Sequence, residues 1–171
     1  MRFLKNASAR IGVFYPLQSF SKERTPDWRN IPILIEANNQ EDSDWLYTLG
    51  AKLSGTVERV SSAQRASLHI AAVFANNFTN YMIHISQDLL KQSELPQDLL
   101  NPLMLETVKK AVENGAFRSQ TGPAKRQDVL TMQRHIEALS DAPEYKKVYA
   151  LLSEQIRKLH GRTLPEETGE S

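Results

Sequence analysis

Three groups of polar side chains in this 171-residue chain have types and spacings that suit chemistry. The first lies in SSAQRASLHIAAVFANNFTNYMIHISQDLLKQ, residues 61–92. His69 and Asn76 stand seven positions apart, about 20° out of register on a helix, so both can face one cleft. Asn80 falls one turn further on, and Asn77 lies at the flank. An imidazole can donate, accept or carry a proton near neutral pH, and a carboxamide can orient a carbonyl or hydroxyl. The same residues equally suit a solvated face, or a set that satisfies neighbouring backbone. The second group is Thr121-Gly122-Pro123-Ala124-Lys125-Arg126. Read as a helix start with a Thr cap, it presents backbone N–H groups beside two cations, a combination suited to phosphate or carboxylate. Its plainer reading is an ordinary capped helix with surface cations. The third group is Tyr15-Pro16-Leu17-Gln18-Ser19-Phe20, directly after an apolar run. Ligands of open α/β sheets bind beyond the carboxyl ends of strands, although a Pro-directed turn explains the same residues.

Other chemistries are missing from the chain. With no cysteine, a disulfide scaffold, a thiolate metal site and a cysteine nucleophile are all excluded. His84, His135 and His160 are scattered and do not make metal-ligand spacing. No G-x-G-x-x-G, G-x-x-x-x-G-K-[ST], H-E-x-x-H or G-x-S-x-G occurs. A net charge of +1 gives no bulk attraction to nucleic acid or an anionic membrane. No apolar run reaches the roughly twenty residues that a bilayer demands, and the N-terminal residues make a poor signal peptide. A soluble cytoplasmic protein is expected.

The elements that must position these groups follow from periodicity. IGVFY at 11–15 and IPILIEA at 31–37 are short apolar runs that predict strands, with Pro32 near a strand start where a missing N–H is tolerated. Trp45, Leu46, Leu49 and Leu53 mark one face of a helix over 41–53, and residues 56–60 predict a third strand. Between the first two strands, residues 18–30 read as a loop. Residues 61–92 carry no Pro and no Gly, and Ser61 with Gln64 forms a capping-box pattern. Leu68, Ala71, Phe74, Phe78, Met82, Ile85 and Leu89 share one face of the resulting helix, about 45 Å long.

Further helices are predicted downstream. One ends at Gly115 with Pro102 inside it as a kink or a split first turn, and a connector covers 117–122. The next begins at Thr121-Gly122-Pro123, with Val129, Met132, Ile136 and Leu139 on its apolar side. The last begins at Asp141 and Pro143 and buries Tyr145, Val148, Tyr149, Leu152, Ile156 and Leu159. Residues 1–10 read as a loose leader. The fold class is α+β, mostly α: three strands with one helix, then a bundle of four or five helices.

Four motifs occur in order: GVFYPLQSFSKE, IPILIEA, SLHIAAVFANNFTN and TGPAKRQD. Together, over residues 11–160, they resemble the NADP oxidoreductases built from a Rossmann-like domain and a helical domain of unknown function 2520. The resemblance implies that residues 1–60 are the C-terminal remnant of the Rossmann-like nucleotide domain. It makes 61–161 a helical substrate and dimerisation domain, like the C-terminal domain of 6-phosphogluconate dehydrogenase, and 162–171 a disordered tail. It implies His69 and Asn76 as catalytic residues, and Asn77, Asn80, Thr121, Gly122, Pro123 and Arg126 as substrate contacts. Pro16 and Gln18 would lie against the cofactor. NADP is implied for full-length relatives. The glycine-rich βαβ unit that holds the dinucleotide is not in this sequence, so this chain alone is expected to bind no cofactor. A homodimer acting on a small anionic or carbonyl-bearing substrate is the implied assembly. The alternative is a non-catalytic homodimeric helical module.

Overall fold

The computed structural model describes residues 10–161. The expectations for residues 1–9 and 162–171 lie outside those described residues. The described chain is mostly helical with one three-stranded sheet, the α+β class expected. It forms two compact units, which divide between Tyr81 and Met82.

The first unit is built on the sheet. Strand β1 (Gly12–Pro16), strand β2 (Ile33–Ala37) and strand β3 (Val57–Arg59) lie in that spatial order. β1 runs antiparallel to β2, with Gly12 opposite Ala37 and Pro16 opposite Ile33. β3 runs parallel to β2, with Ile33 opposite Val57 and Ile35 opposite Arg59. The parallel pair needs a crossover, which helix α1 (Gln40–Leu53) supplies. Ile33, Leu34 and Ile35 are buried, so both faces of the central strand are covered. Fully burying such a side chain contributes about 1.5–3 kcal/mol each.

Local chemistry sets the bounds of α1. Asn39 caps it by accepting from the Asp42 N–H at 2.8 Å, Glu41 and Asp42 stand in the first turn, and Lys52 in the last. Its apolar face is narrower than the sequence pattern suggests. Gly50 is buried, with room for little beyond its hydrogen: a Cβ there would lie 3.1 Å from Val57. Trp45 is 63% exposed. Ser54, just past the helix, is buried; its hydroxyl donates to the Ile31 carbonyl (2.6 Å) and accepts from the Thr56 N–H (3.0 Å). It thus joins the edge of β2 to the start of β3.

Helix α2 (Ser62–Ala72) opens with the expected capping box of Ser61 and Gln64. The long helix is not uniform. A π-helical segment, Val73–Phe78, follows α2 and leads into helix α3 (Thr79–Gln92). Such segments are rare, and frequent at functional sites.

The second unit is helical. α3 ends in a Schellman motif: Leu95 N–H bonds the Leu90 carbonyl and Glu94 N–H the Lys91 carbonyl, with Glu94 left-handed at φ 57°. Helix α4 (Asn101–Asn114) takes Pro102 in its first turn, where no N–H is missed, and ends at Gly115 with φ 81°. The connector expected at 117–122 is largely a short helix, α5 (Ala116–Ser119). Helix α6 (Val129–Ala138) and helix α7 (Pro143–His160) complete the unit. On α7 the expected burial is incomplete: Leu152 and Leu159 are 44% and 54% exposed.

The predicted helix start at Thr121 does not form. Residues 123–128 make one turn closed by a second Schellman motif: Asp128 N–H bonds the Pro123 carbonyl, Gln127 N–H the Ala124 carbonyl, and Gln127 is left-handed at φ 56°. The cap of α6 is Asp128, whose carboxylate accepts from the Thr131 N–H and hydroxyl. The reason is competition between caps. An aspartate whose carboxylate receives two hydrogen bonds from Thr131 outcompetes a threonine seven residues earlier.

Candidate functional site

The candidate cleft lies within the first unit, where the end of β1 and the C-terminal part of α2 come together. Pro16 closes β1 on an edge strand, where a residue without an N–H costs no ladder bond. Leu17 N–H still reaches the Pro32 carbonyl (2.8 Å), and then Gln18 N–H folds back on the Pro16 carbonyl (3.1 Å). The Gln18 side-chain oxygen accepts from the Ser19 N–H at 2.8 Å. That bond engages the carboxamide oxygen, and among the described residues the NH2 has no partner.

On the helical side, the π segment decides which residues face the cleft. A π turn holds about one residue more than an α turn, so it rotates the following residues back. Asn77 therefore comes close to the azimuth of His69, and Asn76 stays beside it. The cleft, about 580 Å³, is lined by Tyr15, Gln18, Ser19, His69, Asn76 and Asn77, with Leu17, Leu68, Val73 and small alanines between them. Asn80, which an uninterrupted α-helix would keep on this side, is not among the lining residues. Pro16 is not in the lining either, although its neighbours on both sides are.

Among the described residues no Asp, Glu, Lys or Arg side chain lines the cleft. What it offers is neutral hydrogen-bonding capacity: three carboxamides, two hydroxyls and one imidazole. The ion pair of Arg65 with Glu36, at 2.5 Å, ties α2 to β2 and is not part of the lining. Among the described residues no group of three or more His, Asp or Glu side chains could hold a metal. Nor is any described helix long and apolar enough to cross a membrane.

The other expected contacts belong to the second unit. Thr121, Gly122 and Pro123 line an apolar cavity of about 290 Å³ with Met82, Ile85 and Leu89 of α3 and Tyr145, Tyr149 and Leu152 of α7. Gly122 has φ 102°, a conformation that favours glycine. Arg126 is exposed and lines neither this cavity nor the cleft. Lys125 donates to the Gln120 carbonyl at 2.7 Å. The anion reading at Thr121 therefore rests on a single turn and has no extended helix dipole behind it. Two polar pairs in this unit had no signal in the chain order. The Tyr145 hydroxyl donates to Asp88, and Tyr149 meets His135 Nδ1 at 2.9 Å.

Comparison with known proteins gives the chain a family. The family described as domain of unknown function (DUF2520) matches residues 31–156. Among solved structures, the chain is similar to a protein from Bacteroides fragilis named "putative NADP oxidoreductase BF3122". The identity is 42%, the TM-score 0.88, and the match covers 92% of this chain and 61% of that one. It is also similar to protein TM1727 from Thermotoga maritima, with 19% identity, a TM-score of 0.73, and coverage of 88% of this chain and 61% of that one. The second likeness is one of fold alone. The chain thus spans about three-fifths of the length of these structures. No curated protein matches it. The order of the four motifs, the strand–strand–helix–strand arrangement and the matched span agree: this chain belongs to the DUF2520 family.

Proposed function

We propose that this chain is the substrate-cleft and dimerisation portion of an NAD(P)-dependent oxidoreductase acting on a small carbonyl-bearing molecule. The observation that carries the reading is the meeting of His69, Asn76 and Asn77 with Gln18 and Tyr15 in one cleft. The B. fragilis relative's name supplies the reaction class.

In this reading His69 holds and delivers the proton that a carbonyl oxygen gains on reduction, since imidazole exchanges protons near neutral pH. Asn76 donates its NH2 to that oxygen and sets its orientation. Asn77 and the Gln18 NH2 bind the remainder of the ligand. The donor set suits a nicotinamide carboxamide, and Gln18 is the residue that would lie against it, with Pro16 behind it outside the lining. When bound, the nicotinamide supplies a hydride. No residue here is assigned to the pyrophosphate, because the glycine-rich turn that grips it is not in this sequence. Thr121, Gly122 and Pro123 line an apolar cavity within the second unit and, with Asn80 and Arg126, take no part in this cleft.

A second reading, a non-catalytic homodimeric module, is favoured by α4, where Leu103, Leu105, Val108 and Val112 are all exposed. The two readings separate in one experiment. Small ketones and lactams are titrated against ¹⁵N-labelled protein and against His69→Ala and Asn76→Ala. Under the first reading, shifts at the cleft residues weaken in both variants. Unchanged ligand binding together with a moved monomer–dimer equilibrium would instead select the module. NADPH titrated against this chain and a full-length relative then locates cofactor binding.

A further inference from the structure

The chemistry of the cleft lining narrows the ligand class, an inference that rests on the cleft being the ligand site proposed above. We infer that this cleft accepts an uncharged carbonyl or carboxamide group and discriminates against the corresponding carboxylate. An anion gains selectivity from a cation or from converging backbone N–H groups. Among the described residues no Lys or Arg stands in the lining, where Gln18, Asn76 and Asn77 are primary amides, Tyr15 and Ser19 are hydroxyls, and His69 is the one side chain that can carry a positive charge. The alternative anion site, the Thr121 turn, is a single turn closed by a Schellman motif, without the dipole of an extended helix, since α6 starts later at its Asp128 cap.

A carboxamide presents both an acceptor and donors, and each amide of the lining presents the complementary pair. A carboxylate is an acceptor only. Against Asn76 and Asn77 it can use their NH2 groups, while their oxygens face it with the wrong sign. Gln18 contributes in a defined sense, because its oxygen is engaged by the Ser19 N–H and its NH2 has no partner among the described residues. The ligand group is thus met by donors on the β1 side and by donor–acceptor pairs on the helical side. The π segment makes this possible, since it places two consecutive asparagines in the lining. A ligand that replaces a matched amide pair by a mismatched charge leaves part of the lining unpaired and loses affinity.

The carbonyl could belong to a substrate or to the carboxamide of a nicotinamide ring, and the probes separate the two sources. Nicotinamide and nicotinate share one ring and differ in the group tested; 2-pyrrolidinone carries the same amide without the aromatic ring. Each is titrated against ¹⁵N-labelled full chain, with the side-chain NH2 signals of Gln18, Asn76 and Asn77 as reporters. Nicotinamide is expected to shift these signals, with nicotinate about tenfold weaker or more. Pyrrolidinone binding as well as nicotinamide assigns the group to a substrate carbonyl, and ring dependence assigns it to the nicotinamide; either supports the inference. Asn77→Lys should reverse the preference toward nicotinate, and Asn77→Leu should weaken both neutral probes without creating nicotinate binding. Nicotinate binding the unaltered chain as tightly as nicotinamide would overturn the inference and leave the cleft standing as the ligand site. No response to any neutral probe would overturn both.

Discussion

Glu36 is the residue where charge and fold are most tightly joined. Burial pushes its carboxyl upward, but hydrogen bonds from Arg65 (2.5 Å) and from the Ser62 hydroxyl (2.8 Å) outweigh burial and hold its pKa below the ordinary 4.5. The folded-state value is thus lower than the unfolded one. Its contribution is present above the ordinary carboxylate range and is lost as pH falls through the folded value. Glu36→Gln should therefore cost about 1.5–3 kcal/mol at pH 7, the worth of a hydrogen bond to a charged group. The difference from the unaltered chain should shrink toward pH 3, as read from urea denaturation across that range. Constant loss at every pH would mean that Glu36 acts through packing. The cleft residues follow another logic, since His69, Asn76 and Asn77 are exposed and hold no structural pair that the fold requires. Their replacement should move ligand binding and leave stability nearly unchanged.

At the scale of elements, the π segment is the feature with most leverage. Removing Ala75 takes one residue out of Val73–Phe78 and lets an ordinary α ladder close. The helical circular-dichroism signal should persist, while Asn77 stays within about 20° of the His69 azimuth, Asn76 turns to about 120° from it, and the ligand-induced shift at Asn76 vanishes. Retention of that shift would show that the π register does not set the site. The Schellman turn at Gln127 yields a prediction of opposite sign. A left-handed backbone costs a non-glycine residue roughly 1 kcal/mol, and this side chain is exposed. Gln127→Gly should raise stability by about 0.5–1 kcal/mol, measurable as a higher thermal midpoint. The sheet tolerates less. A Cβ at Gly50 already meets Val57 at 3.1 Å, so Gly50→Val should cost about 1–3 kcal/mol by overpacking α1 against β3.

At the scale of the whole molecule, the exposed apolar side chains of α4 are the feature that calls for a partner. Leu105 and Val112 are 73% and 80% exposed and, with Val108, fall within about 60° of one another on the helix, while Leu103 lies on its other side. Contiguous exposed apolar surface marks interaction sites. Under the proposed dimer, Leu105→Asp should shift sedimentation toward monomer without changing the circular-dichroism spectrum. A monomeric unaltered chain would remove this role from α4.

Much of this architecture was legible in the order of residues. The strand–strand–helix–strand plan, the capping box at Ser61, the end of the long helix near Glu94 and the glycine stop at Gly115 are written in local patterns. They depend on residues within four or five positions of each other, where periodicity and capping act. The family resemblance was legible for a related reason: four short motifs keep their order. Other features depend on residues distant in the chain. Ser54 bonding Ile31, Tyr145 bonding Asp88 and the burial of Gly50 against Val57 leave no mark at any fixed spacing. The false helix start at Thr121 came from weighing one plausible cap without its competitor, Asp128.

The candidate site divides along the same line. Sequence alone determined that His69, Asn76 and Asn77 share a helix and that Gln18 follows a strand, because both statements rest on local backbone preference. Only the tertiary structure decided that these two stretches line one cleft and that Asn77 belongs to it while Asn80 does not. It also decided that Thr121, Gly122 and Pro123 line an apolar cavity with α3 and α7. The physical reason is that a single extra residue per turn in the π segment resets every azimuth beyond it. That choice is made by packing, which a 3.6-residue periodicity does not encode.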